Sequence, residues 1–106
     1  MDDIVYYNVV ISDAALAMLD SHVEFLARAG KQAATDLMDA TLDDIASLSQ
    51  FPERFPLFES TFIPDGSYRK MLSAKRYLIL YEINENDVYV DYIVGYRQDY
   101  EWLFYY

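Results

Sequence analysis

The hydrophobic periodicity of this chain changes once, and that change constrains the fold more than any other feature. Between residues 13 and 50, apolar side chains recur every three or four positions, which is the spacing of amphipathic helices. From Tyr68 onward they follow the closer spacing of strands, and an irregular stretch with prolines at positions 52, 56 and 64 separates the two regions. Helices and strands therefore occupy separate parts of the chain, which is typical of an α+β fold.

Two helices are predicted in the first region. Ser12 and Asp13 are both candidate N-caps of a helix that runs to about residue 29, where Gly30 supplies a stop. A second helix should run from about residue 31 to residue 50 and end at Phe51-Pro52. Because the link at Gly30 is so short, we expect an antiparallel helical hairpin. The positions that form its apolar stripes are Leu16, Leu19, Val23 and Leu26, then Ala34, Leu37, Met38, Thr41, Leu42, Ile45 and Leu48.

Strands are predicted on both sides of the hairpin. Residues 4–11 are β-branched and aromatic, so they should form a mostly buried strand. Residues 68–74, 77–83 and 88–94 should form an antiparallel meander whose last two strands are joined by the turn residues at 84–87. Residues 97–106 are compatible with a short helix or an edge strand.

We therefore expect a single domain, residues 1–106, in which one antiparallel sheet carries the helical hairpin on a face. The predicted core brings Val90 and Leu80 of the sheet against Leu19, Val23, Leu42 and Ile45 of the hairpin.

Charge and composition exclude several functional classes. The formal net charge of -10 repels nucleic acids and anionic membranes. The chain has no cysteine, which excludes disulfides, a thiolate nucleophile and a zinc-thiolate site. Its first residues are acidic where a signal peptide is basic, and no apolar run is long enough to span a bilayer. These features predict a cytoplasmic protein without a membrane partner or a cofactor.

Basic residues are concentrated in one window without acids. Between residues 68 and 79 it contains Arg69, Lys70, Lys75 and Arg76, and Arg97 could approach the same end of the sheet. The alternative is that these charges only solvate a strand edge and discourage edge pairing.

Other polar residues are weaker candidates. The single histidine, His22, lies within the first helix and is interpreted as structural or merely exposed. Asp36, Asp39, Asp43 and Asp44 lie at helical spacing and are interpreted as a solvated face rather than a metal site.

Residues 68–72, 77–83 and 88–97 together resemble the carboxy-terminal half of the RelE/ParE superfamily, the toxins of bacterial type II toxin-antitoxin systems. The similar features are a basic strand, a strand with a tyrosine, an acidic turn, and a final strand that runs into Gly95-Tyr96-Arg97. The helical hairpin that ends at Phe51-Pro52 is also similar to that of the family. The resemblance implies a cytoplasmic toxin that a cognate antitoxin neutralises.

The family also implies two alternative targets. RelE-like members cut ribosome-bound messenger RNA without a metal, whereas ParE-like members poison DNA gyrase. RNA cleavage needs a general base, a general acid and cations that stabilise the phosphorane. The candidate catalytic residues are Arg69 and Arg97, which match the basic positions of the family, together with Arg76 and Tyr100.

The chain departs from the RelE pattern at several of these positions. Met71 occupies the second basic position of its strand, and Leu78 occupies the position of an expected arginine. The terminal tyrosine falls near Leu103, although Tyr100 or Tyr96 could replace it.

Three hypotheses follow from these departures. The missing cations favour a toxin that binds a large target, ParE-like or divergent, while Arg97 keeps a nuclease with a rearranged site as the alternative. The third hypothesis, which the missing cations also favour, is a non-toxic protein-binding module on the same fold. Tyrosines and Trp102 in excess of what a small core holds would suit an interface, so we expect an antitoxin segment to bind across the sheet and hairpin as a helix or added strand.

Overall fold

The computed structural model describes residues 5–59 and 68–95. Along the chain, these form β1 (Asn8–Ile11), α1 (Asp13–Ala27), α2 (Lys31–Ala46), β2 (Arg69–Ser73), β3 (Tyr77–Asn84) and β4 (Asp87–Gly95). Short 3-10 turns at Ser47–Ser49 and Pro52–Arg54 follow α2. The predicted order of a strand, two helices and a meander is therefore confirmed.

The strands form one sheet in the order β1-β4-β3-β2. β2 pairs with β3 and β3 with β4 in antiparallel fashion, which confirms the meander. β1 instead pairs with β4 in parallel, from Asn8 opposite Asp87 to Ile11 opposite Val90. The sheet is thus mixed rather than wholly antiparallel. Two helices and two strands lie between β1 and β4 in the chain, and a connection of this length allows β1 to pair with β4 in either direction.

The helices begin and end close to the predicted positions. Ser12 is the N-cap of α1, and its Oγ accepts a hydrogen bond of 3.0 Å from the N–H of Ala15. α1 ends at Ala27, and α2 ends at Ala46 because the chain then tightens into the 3-10 turn Ser47–Ser49. α1 and α2 pack against each other as a helical hairpin. None of the helices within the described ranges is long and apolar enough to cross a bilayer.

The main core lies between the helices and one face of the sheet. Its buried residues are Ala15, Leu19, Ile45, Leu48, Met71, Ile79, Tyr81, Val88, Val90 and Ile93. Val90 is therefore placed as predicted, but the prediction that Leu80 faces the helices is wrong. The β3–β4 hairpin pairs Asn84 with Asp87 and so places Tyr81 opposite Val90, which turns Leu80 to the other face.

Leu80 is nevertheless fully buried, in a second cluster with Phe58, Tyr68 and Tyr92 on the outer face of the sheet. We call this face the outer face and the opposite one the helix face. An almost continuously apolar strand such as β3 is typical of burial on both faces. The pairing shifts between Leu80 and Tyr81, because Asp91 has no partner in β3 and forms a β-bulge.

Two other burial predictions are wrong. Leu42 was expected in the core but is 39% exposed, because it lies at the edge of the buried stripe of α2 rather than within it. β1 was expected to be mostly buried, yet its residues alternate between exposed and half-buried, and Val10 is 45% exposed. β1 lies at the edge of the sheet, where only Val9 and Ile11 face the core.

Candidate functional site

The predicted basic window lies along β2, at the opposite edge of the sheet from β1, and in the turn that follows β2. The preceding segment covers part of this edge, since Leu57 forms a bridge with Arg69 and the N–H of Lys70 donates to Pro56 O at 3.0 Å. Arg69 pairs with Tyr81 and shares its helix face, whereas Lys70 pairs with Leu80 and is exposed on the outer face. The basic residues are therefore divided between two faces.

The guanidinium of Arg69 is engaged in structural hydrogen bonds. Its Nη1 donates to Phe55 O at 2.7 Å and to Glu53 O at 3.1 Å, and the side chain is half-buried. A charged donor thereby satisfies one carbonyl oxygen within the 3-10 turn Pro52–Arg54 and one just after it, and such a donor is a stronger partner than a neutral one. Arg69 thus holds the connection between α2 and β2 in place.

Arg76 lies in a different part of the sheet. It is exposed at the end of the β2–β3 turn, where its N–H donates to Ser73 O at 3.2 Å. Arg69 pairs with Tyr81 whereas Arg76 precedes Tyr77, so the two arginines are separated by about 13 Å along the strands. They do not form one cluster.

The end of β4 lies beside Arg76. Gly95 pairs with Tyr77, the residue that follows Arg76, so the chain leaves β4 next to the β2–β3 turn. This register is compatible with the expectation that Arg97 approaches the same end of the sheet. Arg97 and Tyr100 themselves, with the alternative positions Tyr96 and Leu103, lie outside the described residues.

The two apolar residues at expected cation positions are buried. Met71 is 3% exposed in the main core, and Leu78 is 4% exposed. A guanidinium at either place would lose its hydration without a compensating partner, which is costly. The fold therefore uses these positions for packing.

His22 has a structural role. Its Nε2 lies 2.9 Å from Ile93 O, and its ring centroid lies 4.6 Å from that of Tyr77. Because a carbonyl oxygen only accepts, Nε2 must donate, and the histidine ties α1 to β4. This confirms the structural interpretation.

Two of the helical aspartates accept side-chain hydrogen bonds. Asp44 accepts a hydrogen bond of 2.6 Å from the buried Ser73 Oγ, and Asp36 accepts one of 2.8 Å from Gln32. In residues 5–59 and 68–95, no group of three or more His, Cys, Asp or Glu side chains could hold a metal ion.

Arg54 is a structural residue that the sequence patterns missed. Its guanidinium donates to Gln50 O at 2.6 Å, to Phe51 O at 3.1 Å and to Ser47 Oγ at 2.7 Å. It thereby satisfies carbonyl groups left without partners where the helical region ends. The signal in the sequence was a basic residue just beyond the predicted C-terminus of a helix.

Tyr81 was missed for a similar reason. It is fully buried, and its hydroxyl donates to Pro52 O at 2.5 Å. Burial raises the pKa of Tyr81 to about 12, although the positive charges of Arg69 and Arg54 act in the opposite direction. A tyrosine inside an otherwise apolar strand was the signal for such a buried hydrogen bond.

On the outer face, Tyr68 and Asp91 form a second hydrogen-bonded pair. The Tyr68 hydroxyl donates to Asp91 Oδ2 at 2.7 Å, and the Tyr68 and Tyr92 rings meet edge to face with centroids 5.9 Å apart. Burial, and then the bond to Asp91, raises the pKa of Tyr68, while burial followed by the charge of Asp91 raises the pKa of Glu82. The Tyr68 proton is thus held in the hydrogen bond to Asp91.

Comparison with known proteins gives two positive findings. The family described as "ParE toxin of type II toxin-antitoxin system, parDE" matches residues 9–100. A solved structure described as the "Chromosomal ParDE TA system from P. aeruginosa" contains a chain that superposes with a TM-score of 0.70 and 13% identity, over 85% of this chain and 96% of that one. At that identity the likeness concerns the fold alone. A search of curated proteins found no match.

Proposed function

Because the chain belongs to the ParE toxin family of type II toxin-antitoxin systems, we propose that it arrests growth by binding a large protein target, DNA gyrase, rather than by cutting RNA. The chain is the toxin component, and its family implies a cognate antitoxin partner. We further infer that residues 1–106 act as one toxin domain in the cytoplasm. There the chain would meet both DNA gyrase and the antitoxin.

The side chains at the positions where RelE-like members have cations support this proposal. Arg69 donates to two backbone carbonyls, and Met71 and Leu78 are buried apolar residues. Catalysis of RNA cleavage would need several cations around one phosphate, and these positions do not supply them. The net charge of -10 adds a general repulsion of RNA.

Inducible expression in a bacterium, with pulse labelling of new DNA and new protein, tests the proposal. We expect DNA labelling to fall within minutes while protein labelling continues, and purified gyrase to accumulate cleaved DNA when the chain is added. Translation that stops first would contradict the proposal and favour a RelE-like target, the ribosome with its messenger RNA. Normal growth and labelling would instead favour the non-toxic binding module.

One observation keeps the nuclease as a second candidate. The pairing of Gly95 with Tyr77 places the end of β4 beside the turn that carries Arg76, and Arg97 follows two residues later in the sequence. An arginine can hold a phosphate through two parallel hydrogen bonds, and lysine does not reproduce this geometry. If the chain acts on RNA, Arg97→Ala and Arg97→Lys should both relieve growth arrest while antitoxin binding persists. Arrest that survives both substitutions would remove this candidate.

The antitoxin can be tested by co-expression. The protein encoded beside this gene should co-purify with the toxin and restore growth. Absence of a complex with any neighbouring gene product would count against neutralisation by a locally encoded antitoxin.

A further inference from the structure

A row of side chains crosses the outer face of the sheet from β1 to β3. Val10 pairs with Tyr89 of β4, which in turn pairs with Glu82 of β3. Tyr81 and Val90 pack in the main core, so their sequence neighbours Glu82 and Tyr89 point to the outer face. Adjacent strands lie about 4.8 Å apart, which makes the three side chains neighbours. Val10 is 45% exposed, and the row therefore presents an apolar, an aromatic and a carboxylate group on one surface.

A second carboxylate lies next to this row. Asp91 forms the β-bulge of β4, and its Oδ2 accepts the hydrogen bond of 2.7 Å from the Tyr68 hydroxyl. Burial raises the pKa of Glu82, and the nearby charge of Asp91 raises it further. Two carboxylates that repel each other thus lie beside tyrosine rings. We call Val10, Tyr68, Glu82, Tyr89 and Asp91 the tyrosine-carboxylate patch.

The carboxylate of Glu82 has no hydrogen-bond donor and no ion-pair partner among residues 5–59 and 68–95. A half-buried charge without a partner lowers the stability of the fold, and the second carboxylate beside it adds repulsion. A cation supplied by another protein would relieve both effects. The tyrosine rings favour the same ligand, because the face of an aromatic ring attracts a cation.

The charges around the patch are mostly negative. Asp87 lies on the same face, two positions before Tyr89, and its Oδ2 accepts a hydrogen bond of 3.3 Å from the Tyr89 hydroxyl. Lys70 is also exposed on this face, but it pairs with Leu80 and so lies diagonally across from Glu82, and no ion pair joins Lys70 to Glu82. Three carboxylates and one ammonium therefore lie on this part of the sheet, which attracts a basic surface.

The backbone of β3 and β4 beneath the patch is already paired. Both strands have a neighbour on either side in the order β1-β4-β3-β2, so no strand can be added to them. A partner must therefore bind the patch through side chains. A folded surface presents such side chains without being ordered on binding, whereas a linear segment would lose conformational entropy for a few contacts. The large folded target proposed above fits this surface better than an extended antitoxin segment.

We propose that the tyrosine-carboxylate patch is a contact surface for the target protein and receives an arginine side chain of that protein between Glu82 and Asp91. This inference rests on the proposed function, in which the chain arrests growth by binding a large protein. The guanidinium lies over the Tyr89 ring and donates to both carboxylates, and apolar side chains around it cover Val10. Arginine suits the site better than lysine, because its planar group stacks on an aromatic ring and has donors in several directions.

Purified DNA gyrase is the first probe, because it is the target proposed above. The patch variant is Glu82→Gln/Asp91→Asn, which removes both carboxylates from the full-length chain. Its matched control is Asp20→Asn/Glu24→Gln, which removes two exposed carboxylates from α1 and changes the net charge equally. Biolayer interferometry should show a gyrase affinity at least about tenfold lower for the patch variant and within about twofold of wild type for the control. Co-purification with the antitoxin should be unchanged in both.

Substitutions of the ring and of the apolar residue locate the contact. Tyr89→Phe keeps the ring and should keep gyrase affinity within about twofold, whereas Tyr89→Leu should weaken it at least about fivefold, because the cation loses the ring face. Val10→Lys should abolish binding, since it places a cation beside the incoming arginine. Phe25→Lys, at a residue that is 71% exposed on α1, should not.

The stability of the free chain gives a readout that a structural role of Glu82 would move in the opposite direction. Glu82→Gln should raise the melting temperature, because it removes a half-buried charge without a partner, and yet weaken gyrase binding. Glu24→Gln should do neither. A melting temperature that falls in Glu82→Gln would show that the carboxylate serves the fold, and it would overturn the inference.

A peptide separates the inference from the choice of gyrase. A synthetic peptide with one arginine between two valines, and its counterpart with neutral citrulline, are each titrated into the isotope-labelled chain. We expect the arginine peptide to shift the NMR signals of Glu82, Tyr89 and Asp91, the citrulline peptide to leave them unchanged, and the patch variant to lose the response. If wild type gives this response but does not bind gyrase, the gyrase proposal fails and the patch remains a contact surface for a different protein target.

Three further results would overturn the inference. The first is an equal response to the two peptides, and the second is an equal gyrase affinity of the patch variant and its control. The second result would leave the gyrase proposal standing while removing this surface from the contact. The third is a loss of antitoxin binding in place of gyrase binding, which would assign the patch to the antitoxin.

Discussion

Arg69 and Tyr81 are paired residues on neighbouring strands, and they hold the same stretch of chain. Tyr81 donates to Pro52 O, while Arg69 donates to the carbonyls of Glu53 and Phe55. This stretch carries the chain from the end of the helical region toward β2, and its carbonyls need partners wherever water is excluded. The side chain of Arg69, a candidate catalytic residue by family resemblance, is therefore engaged in hydrogen bonds within the fold.

Arg69→Met should lower the free energy of unfolding by about 1 to 3 kcal/mol, because it removes the donor from two carbonyl groups. Arg76→Met is the matched control, since it removes the same charge from an exposed turn position and should change stability by less than about 0.5 kcal/mol. Urea unfolding followed by circular dichroism measures both. Equal losses of unfolding free energy in the two variants would show that the charge of Arg69, and not its contacts with the carbonyl groups, contributes to stability.

Tyr81→Phe should cost about 1 to 3 kcal/mol at neutral pH, because Pro52 O would be left unsatisfied in a buried place. The pKa of Tyr81 is raised from 10.0 to about 12, so folding favours the neutral phenol. This contribution is complete below pH 10 and is lost as the pH rises through the folded pKa of about 12. Urea unfolding at several pH values should therefore show the gap between wild type and Tyr81→Phe narrowing above pH 10. A gap that stays constant would contradict the raised pKa.

At the scale of elements, α2 has a narrower buried face than its sequence suggests. Ala34, Leu37, Thr41 and Ile45 are buried, but Leu42 lies one position further around the helix and faces a groove beside β1. An apolar residue at the edge of a helical stripe has the same spacing whether the core or a partner covers it. The periodicity alone therefore could not separate the two.

Truncation of Ile45 and of Leu42 should distinguish a side chain that the core covers from one at the edge of the buried face. Ile45→Ala should cost about 2 to 5 kcal/mol, because Ile45 is 3% exposed in the main core. Leu42→Ala should cost much less, about 1 kcal/mol, because its side chain already contacts solvent. Urea unfolding midpoints of the two variants provide the comparison. A Leu42→Ala variant as unstable as Ile45→Ala would place Leu42 in the core after all.

Local signals were sufficient for most elements, but not for their long-range arrangement. The Ser12 cap, the helical hairpin and the meander each depend on residues close together in sequence, and all three are present. The parallel pairing of Asn8 with Asp87 joins distant parts of the chain, so no local pattern reports it. The position of Leu80 on the outer face was predictable, since the expected turn already placed Tyr81 opposite Val90.

The candidate site was less predictable than the fold. The positions of Arg69 and Arg76 on β2 and its turn follow from alternation and turn signals. The hydrogen bonds of Arg69 to Glu53 and Phe55 do not, because they depend on where the irregular segment after α2 crosses the sheet. An arginine at a familiar position therefore identified the family without identifying what its side chain does here.

At the scale of the whole molecule, net charge separates protein binding from nucleic-acid binding. A charge of -10 makes each approach to a phosphate backbone unfavourable, and released counterions cannot compensate unless basic side chains meet the phosphates. Lys70, Lys75 and Arg76 are exposed near one edge of the sheet, while the acids are spread over both helices and the β3–β4 hairpin. The same field favours a partner with basic residues.

The purified chain should therefore neither bind nor cleave naked RNA. A labelled single-stranded RNA should show no change in anisotropy with micromolar protein at physiological salt, because a few basic residues on an acidic molecule do not overcome the long-range repulsion. Lowering the salt extends the Debye length from about 8 Å toward 30 Å. The repulsion of the RNA by the distant acids then becomes stronger, as does its attraction to the nearby cations. A basic protein of similar size serves as the positive control. Cleavage of this RNA by the wild-type chain, and its loss in Arg97→Ala, would reverse the assignment and make the end of the sheet beside Arg76 a nuclease site.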